Sequence, residues 1–272
     1  MTKSISIIGA GHLGNALIRG LIKNAYPQQC INVSNRNPNK LTRLVNELGV
    51  IAADTNIKAA ENGDILILCV KPQVMRTICL EIATTVRKKS PLIISLAAVT
   101  EITSIAQWLG TKDLPIARVM ANTPMEFCKG ISALFANEYV TAAHKLLIEA
   151  IFGAVGSFFW VDQEQLLDPL TAAIGSAPAY VFLFMEALQN AAMNQKIPEK
   201  IAKKIALDVV TGAVVLAEQS GQSFAKLRAG VTTPNGITEH SLRELSIELF
   251  IDSFREVYQA ANQRIKQIKE EF

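Results

Sequence analysis

Several absences narrow the reading of this 272-residue chain. Histidine is scarce: His12, His144 and His240 are scattered, and no Cys/His/Asp spacing suggests a metal site, so none is expected. The four cysteines, Cys30, Cys69, Cys79 and Cys128, form no CxxC pair. Met1-Thr2-Lys3 leads straight into "SISIIG", too short for a signal peptide and without a small-residue cleavage site. Free, buried thiols are therefore expected rather than disulfides. The formal charge is only +3, too weak and diffuse for nucleic acid, and no acidic or basic tail is present. Mean hydropathy is +0.25. Yet the most apolar stretch, Ala177 to Met185, meets Glu186 well short of the ~20 residues a membrane span needs. A cytoplasmic chain with no membrane partner is expected. No Ser-His-Asp, Cys-His or paired-carboxylate constellation stands out, and no carboxylate at all occurs from Met1 to Asn46.

What is present suits a large core, since 50% of residues are hydrophobic and 19% charged. Short apolar runs alternate with amphipathic stretches through the first half. Ser4–Ile8, Ile31–Asn35, Ile65–Val70, Leu92–Ser95 and Ile116–Met120 read as strands. Leu13–Asn24, Lys40–Leu48, Gln73–Val86 and Glu101–Leu109 read as helices between them. That rhythm predicts a parallel sheet wrapped by helices, with Ile131–Ala136 and Ser157–Val161 adding strands at an edge. After Asp162 strand alternation stops, and Ala179–Gln195, Glu199–Ser220 and Leu242–Lys269 read as long helices, the last capped by Ser241. The expected fold is α/β, a doubly wound domain over 1–162 followed by an all-helical domain over 163–272.

"SISIIGAGHLGNALIRG" carries Gly9, Gly11 and Gly14 as GxGxxG, directly after a strand and into a helix. In a dinucleotide fingerprint the first glycine permits the tight turn, the second admits the pyrophosphate to the backbone, and the third lets helix pack on strand. The helix start then offers free amides and a partial positive charge to phosphate. About 20 residues on, an NAD site places Asp or Glu for the ribose hydroxyl. Here that position reads "SNRNPNK". Ser34 and Asn35 offer hydrogen bonds, Arg36 a planar cationic donor suited to a 2′-phosphate, and Lys40 further charge. NADP(H) is expected in preference to NAD(H), which stays open.

Three other stretches stand out. "ILILCVKPQ" ends an apolar strand in Lys71-Pro72 at the sheet edge where open α/β proteins bind ligands; Lys71 alone reads equally as a solvated strand end. "TAAIGSAPAYVF" sets Gly175-Ser176 before a long helix, with free amides suited to a carboxylate, or as an ordinary cap. "VTTPNGIT" (231–238) interrupts a helical region: Pro234 lacks an amide hydrogen and Asn235-Gly236 favours positive φ.

In this order, "GAGHLG", "VKPQ", "RVMANTP" (118–124), "GSAPAY" and "VTTPNGIT" resemble the pyrroline-5-carboxylate reductase family over almost the whole chain, the last being its most specific signature. The resemblance implies a Rossmann-type domain and a helical dimerisation domain, in dimers or rings of dimers, with the helical domain of one subunit completing the site of the other. It implies that Ile8, Gly9, Ala10, Gly11, His12 and Leu13 cover the pyrophosphate, and that Ser34 and Arg36 hold the adenosine phosphate. Asn56 would lie near the adenosine ribose, and Val70, Lys71 and Pro72 beside the nicotinamide. Ser176, Gly236, Ile237 and Thr238 would surround an imine acid and its carboxylate. The implied reaction is hydride transfer from NADPH to the C=N carbon of 1-pyrroline-5-carboxylate, giving L-proline.

A protonated cyclic imine is already an electrophile, so the protein's part is to hold donor and acceptor within about 3–3.5 Å. Thr238, hydrogen-bonding the ring nitrogen or carboxylate, is the leading catalytic candidate; a helix N-cap is its plainer role. His240 could donate a proton, but reads more plainly as a partly exposed residue of a first helical turn. The chain departs from the family at Ala121 (usually proline), at Asn235 (usually glycine), at Ile237 (usually small or threonine), and in "SLAAVT" (95–100), where "SxAAGV" is usual. Two other functions remain open: reduction of another cyclic imine acid, or a catalytically lapsed NADP-binding sensor.

Overall fold

The computed structural model describes residues 2–271. Two compact units are present, one running to Ser176 and joined by the C-terminal residues from Ala261, the other Ala177–Ala260.

The first unit opens with β1 (Ile5–Ile8), α1 (His12–Lys23), β2 (Ile31–Ser34), α2 (Pro38–Leu48), β3 (Ile51–Ala52) and α3 (Asn56–Asn62). It continues with β4 (Ile65–Leu68), α4 (Pro72–Lys89), β5 (Leu92–Ser95), α5 (Ile102–Leu109), β6 (Ile116–Ala121), β7 (Gly130–Ala136), α6 (Ala142–Ala154) and β8 (Gly156–Trp160). The eight strands form one sheet in the order β3-β2-β1-β4-β5-β6-β7-β8. All pairs are parallel except β6 with β7. The chain therefore reverses its winding beside β1, between β2 and β4. That switch point opens a crevice at the strands' carboxyl ends.

Helices cover both faces, so the central strands are continuous apolar runs rather than alternating ones. Ile5, Ile7, Ile65 and Ile67 pack on one side with Leu17, Leu21 and Phe152. Ile8, Leu66, Leu68 and Ile93 pack on the other with Met75, Ile82 and Ile105. Both expected edge strands are there, and β7 turns antiparallel because only a 3-10 segment, Thr123–Phe127, links it to β6. A crossover helix would be needed for a parallel return.

After β8 come α7 (Leu167–Leu170) and a π-helical segment, Thr171–Ser176. The second unit begins with α8 (Ala177–Asn194), followed by α9 (Glu199–Ser220), α10 (Phe224–Gly230), α11 (Ile237–Glu244) and α12 (Ile247–Glu270). Tyr180 of α8 meets Phe254 of α12 edge-on, with ring centroids 6.3 Å apart. The expected single helix from Leu242 to Lys269 is two helices. Ser246 adopts φ +51, which ends α11, and Ser241 caps neither helix, since its Oγ donates to the Ile237 carbonyl within α11.

An ionic network centred on a buried arginine ties the first unit together. Arg118 on β6 is 1% exposed; its Nη1 lies 3.2 Å from Glu164 and its Nη2 2.8 Å from Asp168. Lys269, at the end of α12, reaches Asp168 at 2.6 Å and Glu101 at 3.0 Å. Burial works against the Lys269 ammonium, but its hydrogen bonds to Asp168 and Glu101 outweigh that and raise its pKa.

All four cysteines are free, as expected, but only Cys79 is fully buried; Cys30, Cys69 and Cys128 are half-buried.

Candidate functional site

The crevice at the switch point is a cavity of about 840 Å³ in the first unit. Its floor is the glycine loop. Gly9 has φ +95, and a Cβ there would meet the Cys69 carbonyl oxygen at 2.5 Å, so only glycine fits. The Gly9 amide donates to the Ser34 carbonyl and the Cys69 amide to the Ile8 carbonyl, pinning the loop between β2 and β4. Gly11 caps α1 with no side-chain hydrogen bond, which leaves the first-turn amides without intrahelical partners.

A Cβ on Gly11 would meet nothing within 4 Å. The open space above this cap, together with the free amides, fits the diphosphate of a dinucleotide. Gly14 is the opposite case. It faces the loop's underside, where a Cβ would lie 2.4 Å from the Gly9 carbonyl oxygen. The Cys69 thiol beside it is pushed up to about 12 by burial, partly countered by a hydrogen bond from the Gly14 amide. It is therefore a packing group and not a nucleophile.

At one end of the cavity Ser34 closes β2, and the Asn35 amide group donates to the Ala10 carbonyl at 3.3 Å. Asn35 also accepts from the Asn37 amide, and Asn37 caps α2 by accepting from the Lys40 amide. Arg36 and Lys40 stand exposed at this rim, with no ion pair among the described residues. At the other end are Val70 and Lys71, the latter capping α4 without a side-chain bond.

Of the expected cofactor residues, Ile8, Gly9, Ala10, Gly11, Ser34, Asn35, Arg36, Asn56, Val70 and Lys71 line this cavity. His12 and Leu13 open α1 beside it, Gly14 sits beneath the loop, and Pro72 is the first residue of α4. Thr55, Asp54 and Glu81 also line it, and no expectation covered them. Glu81 was legible in hindsight, because Val74, Thr77, Ile78 and Glu81 recur at helical spacing on one face of α4.

The polar turn lies in the second unit. Asn235 takes φ +57 and Gly236 φ −88, so the positive φ expected of that pair belongs to asparagine. Glycine is required next to it for space, since a Cβ on Gly236 would stand 2.9 Å from the Thr233 carbonyl oxygen. Gly236, not Thr238, caps α11, and it does so without a side-chain bond. The N-cap role open to Thr238 is thus filled by Gly236. Thr238 is exposed in the first turn, next to Ile237 and the unpartnered amides of that turn. Glu239 accepts from the Asn235 amide at 2.8 Å; that bond, with the Arg243 charge, holds its carboxyl below the usual range.

Ser176 is half-buried at the end of the π-helical segment, and α8 follows directly. The free helix start expected there is absent. The chain is already helical before Ser176, so its amide does not open a first turn. A π-helical turn beside Pro178 accommodates the ring, which cannot donate to the preceding turn.

Sequence comparison places these features among known proteins. A family model described as pyrroline-5-carboxylate reductase dimerisation matches residues 164–268, and one described as NADP oxidoreductase, coenzyme F420-dependent, matches residues 4–99. The chain is 33% identical over 270 residues to the pyrroline-5-carboxylate reductase of Pseudomonas aeruginosa, covering 99% of this chain and 98% of that one. It is 34% identical over 271 residues to the enzyme of Vibrio alginolyticus, covering 99% of each. A pyrroline-5-carboxylate reductase structure from Coxiella burnetii superposes with TM-score 0.88 at 36% identity, covering 98% of both chains. The Plasmodium falciparum pyrroline carboxylate reductase, determined with NADP bound, shares the fold at TM-score 0.88 and 24% identity, again over 98% of both.

Proposed function

The chain belongs to the pyrroline-5-carboxylate reductase family, and on that premise we propose which of its residues perform the reaction. It is an NADPH-dependent oxidoreductase of proline biosynthesis, reducing 1-pyrroline-5-carboxylate to L-proline, and it forms homo-oligomers. The observation that carries the assignment of the site is the glycine cradle. Space above Gly11, no space at Gly9 or Gly14, and an α1 start with no side-chain cap bond are what a dinucleotide diphosphate requires.

NADPH, when bound, supplies the hydride for the imine carbon. The α1 amides and the loop from Ile8 to Leu13 hold its diphosphate. Ser34, Asn35 and Arg36 read the adenosine end, where the exposed guanidinium favours a 2′-phosphate over a 2′-hydroxyl. Val70, Lys71 and Pro72 shape the nicotinamide end. The first-turn amides of α11 at Ile237 and Thr238 hold the substrate carboxylate, Gly236 lets the backbone approach, and the Thr238 hydroxyl orients the ring. Ser176 contributes from its side chain rather than a free amide.

The functional division falls at 1–162 and 163–272, supported by the match of the dimerisation family from residue 164. That helical part of one subunit completes the site of its partner, in a dimer or a ring of dimers. The stretch Glu164–Asn194 is helical and apolar enough by length and composition to cross a membrane. We assign it instead to the dimer, because it lies within the matched dimerisation region and carries Glu186 within its length. The protein then works in the cytoplasm.

The test is to mix purified protein, NADPH and 1-pyrroline-5-carboxylate, follow the loss of reduced-nicotinamide absorbance and identify the product. Consumption matched by proline formation is expected. Absence of turnover with this imine, alongside intact NADPH binding, would overturn the substrate assignment.

A further inference from the structure

A hydrogen-bonded chain of three side chains runs along the adenosine end of the cavity, each from a different element. The Ser34 hydroxyl, at the end of β2, donates to Asn56 Oδ1 at 2.8 Å. Asn56 Nδ2, at the start of α3, donates to Glu81 Oε2 on α4 at 2.8 Å. The direction of this chain is fixed by chemistry. An ionised carboxylate only accepts, so Asn56 must turn its NH2 to Glu81 and its carbonyl oxygen to Ser34. A carbonyl oxygen also only accepts, so Ser34 must spend its single hydrogen on Asn56. Ser34 therefore meets the cavity with lone pairs.

A lone pair suits the 2′-hydroxyl of NAD(H), which can donate to it. It does not suit the 2′-phosphate of NADP(H), which at neutral pH presents mainly acceptors and negative charge. Arg36 favours the phosphate from the rim, while the chain ending in Glu81 opposes it from the wall. The end of β2 carries no acid, which favours NADP(H) over NAD(H), yet α4 brings one to the same place through Asn56.

We infer that Glu81 is a cofactor-specificity residue: acting through Asn56, it holds the Ser34 hydroxyl away from the cofactor and limits the preference for a 2′-phosphate. The inference rests on the cavity being the dinucleotide site. Glu81 is a positioning residue in it and touches the cofactor only indirectly. With glutamine at 81 the end group can donate as well as accept. Asn56 is then free to turn over, its NH2 toward Ser34, and the serine hydrogen is released to the phosphate.

Calorimetric titration of the free protein with adenosine 2′,5′-bisphosphate and with 5′-AMP isolates the phosphate, since the two probes differ only there. Glu81→Gln is expected to tighten the bisphosphate about fivefold, the scale of one hydrogen bond, and to move 5′-AMP less than about twofold. Adding Ser34→Ala to Glu81→Gln should erase most of that gain, because the released hydroxyl is its source. Equal changes for both probes, or a gain that survives loss of the Ser34 hydroxyl and so reports charge alone, would overturn the inference while leaving the cavity assignment standing. Failure of the unsubstituted protein to bind either probe would overturn both. Glu81 is exposed, so its replacement is not expected to compromise folding, and matched thermal unfolding curves verify that.

Discussion

A Cβ on Gly14 would stand 2.4 Å from the carbonyl oxygen of Gly9, two residues of one motif locked backbone to backbone, while the glycine between them faces open space. The three positions of GxGxxG are thus separable by experiment. Gly14→Ala should cost about 2 kcal/mol or more of stability, because the obstructing atom is backbone and cannot rotate away. Gly11→Ala should leave the unfolding midpoint within about a degree and weaken NADPH binding about tenfold or more. Denaturant titration and calorimetry of the two variants decide it; equal behaviour would contradict the division of labour.

Arg36 stands exposed without an ion pair among the described residues, so its replacement exposes no buried partner. Arg36→Ala should raise the NADPH dissociation constant about tenfold and the NADH constant about twofold or less. Equal loss for both cofactors would remove the guanidinium from 2′-phosphate recognition.

Because Gly236 and not Thr238 caps α11, the Thr238 hydroxyl is spare for substrate. Thr238→Ala should lower kcat/KM for the imine about tenfold or more, with NADPH affinity and the thermal midpoint nearly unchanged. A fall in midpoint with intact turnover would return the residue to a structural role.

Val99 takes φ +57 after β5, at the place where the resembled family carries glycine. A β-branched residue in the left-handed region is strained. Both Val99→Gly and Val99→Ala lose the buried side chain, so comparing them isolates the backbone. The glycine variant should be the more stable by about 1 kcal/mol, reversing the usual order of the two residues. An alanine variant equal to or above the glycine one would refute the strain.

The network around Arg118 gives a pH-dependent prediction. Arg118→Ala should cost about 3 kcal/mol, because it removes the only cation beside Glu164 among the described residues and leaves Asp168 with Lys269 alone. Lys269 contributes differently, through a pKa raised in the folded state. A raised cation stabilises fully below its unfolded pKa of about 10.4 and loses that contribution as pH climbs through the folded value. The gap in thermal midpoint between the natural protein and Lys269→Met should hold constant from pH 7 to about 10 and shrink above. A gap that closed on the acid side of neutrality would assign it to another group.

The sheet was legible because buried parallel strands are short apolar runs bounded by turn residues. Leu92–Ser95 agrees residue for residue, and β1, β2 and β4 end within two residues of expectation. Gly9, Gly11 and Gly14 were legible because a tight turn leaves a local mark. What stayed hidden depends on pairings across the chain. Nothing local to Glu81 announces Asn56, and Arg118 reads as an ordinary strand residue until Glu164 and Asp168 fold against it. The break at Ser246 carries neither proline nor glycine, so periodicity ran straight through it. The π-helical turn before Pro178 likewise looked like a helix start.

The helices of the second unit hold much of their greasy surface in the open: Phe182 and Leu183 on α8 are 64% and 65% accessible, and Leu216 on α9 is 51%. These helices lie in the matched dimerisation region, so pairing with another copy that covers them adds to stability. Resistance of the assembled enzyme to heat or urea is then set partly by how many chains are in the tube, and falls on dilution.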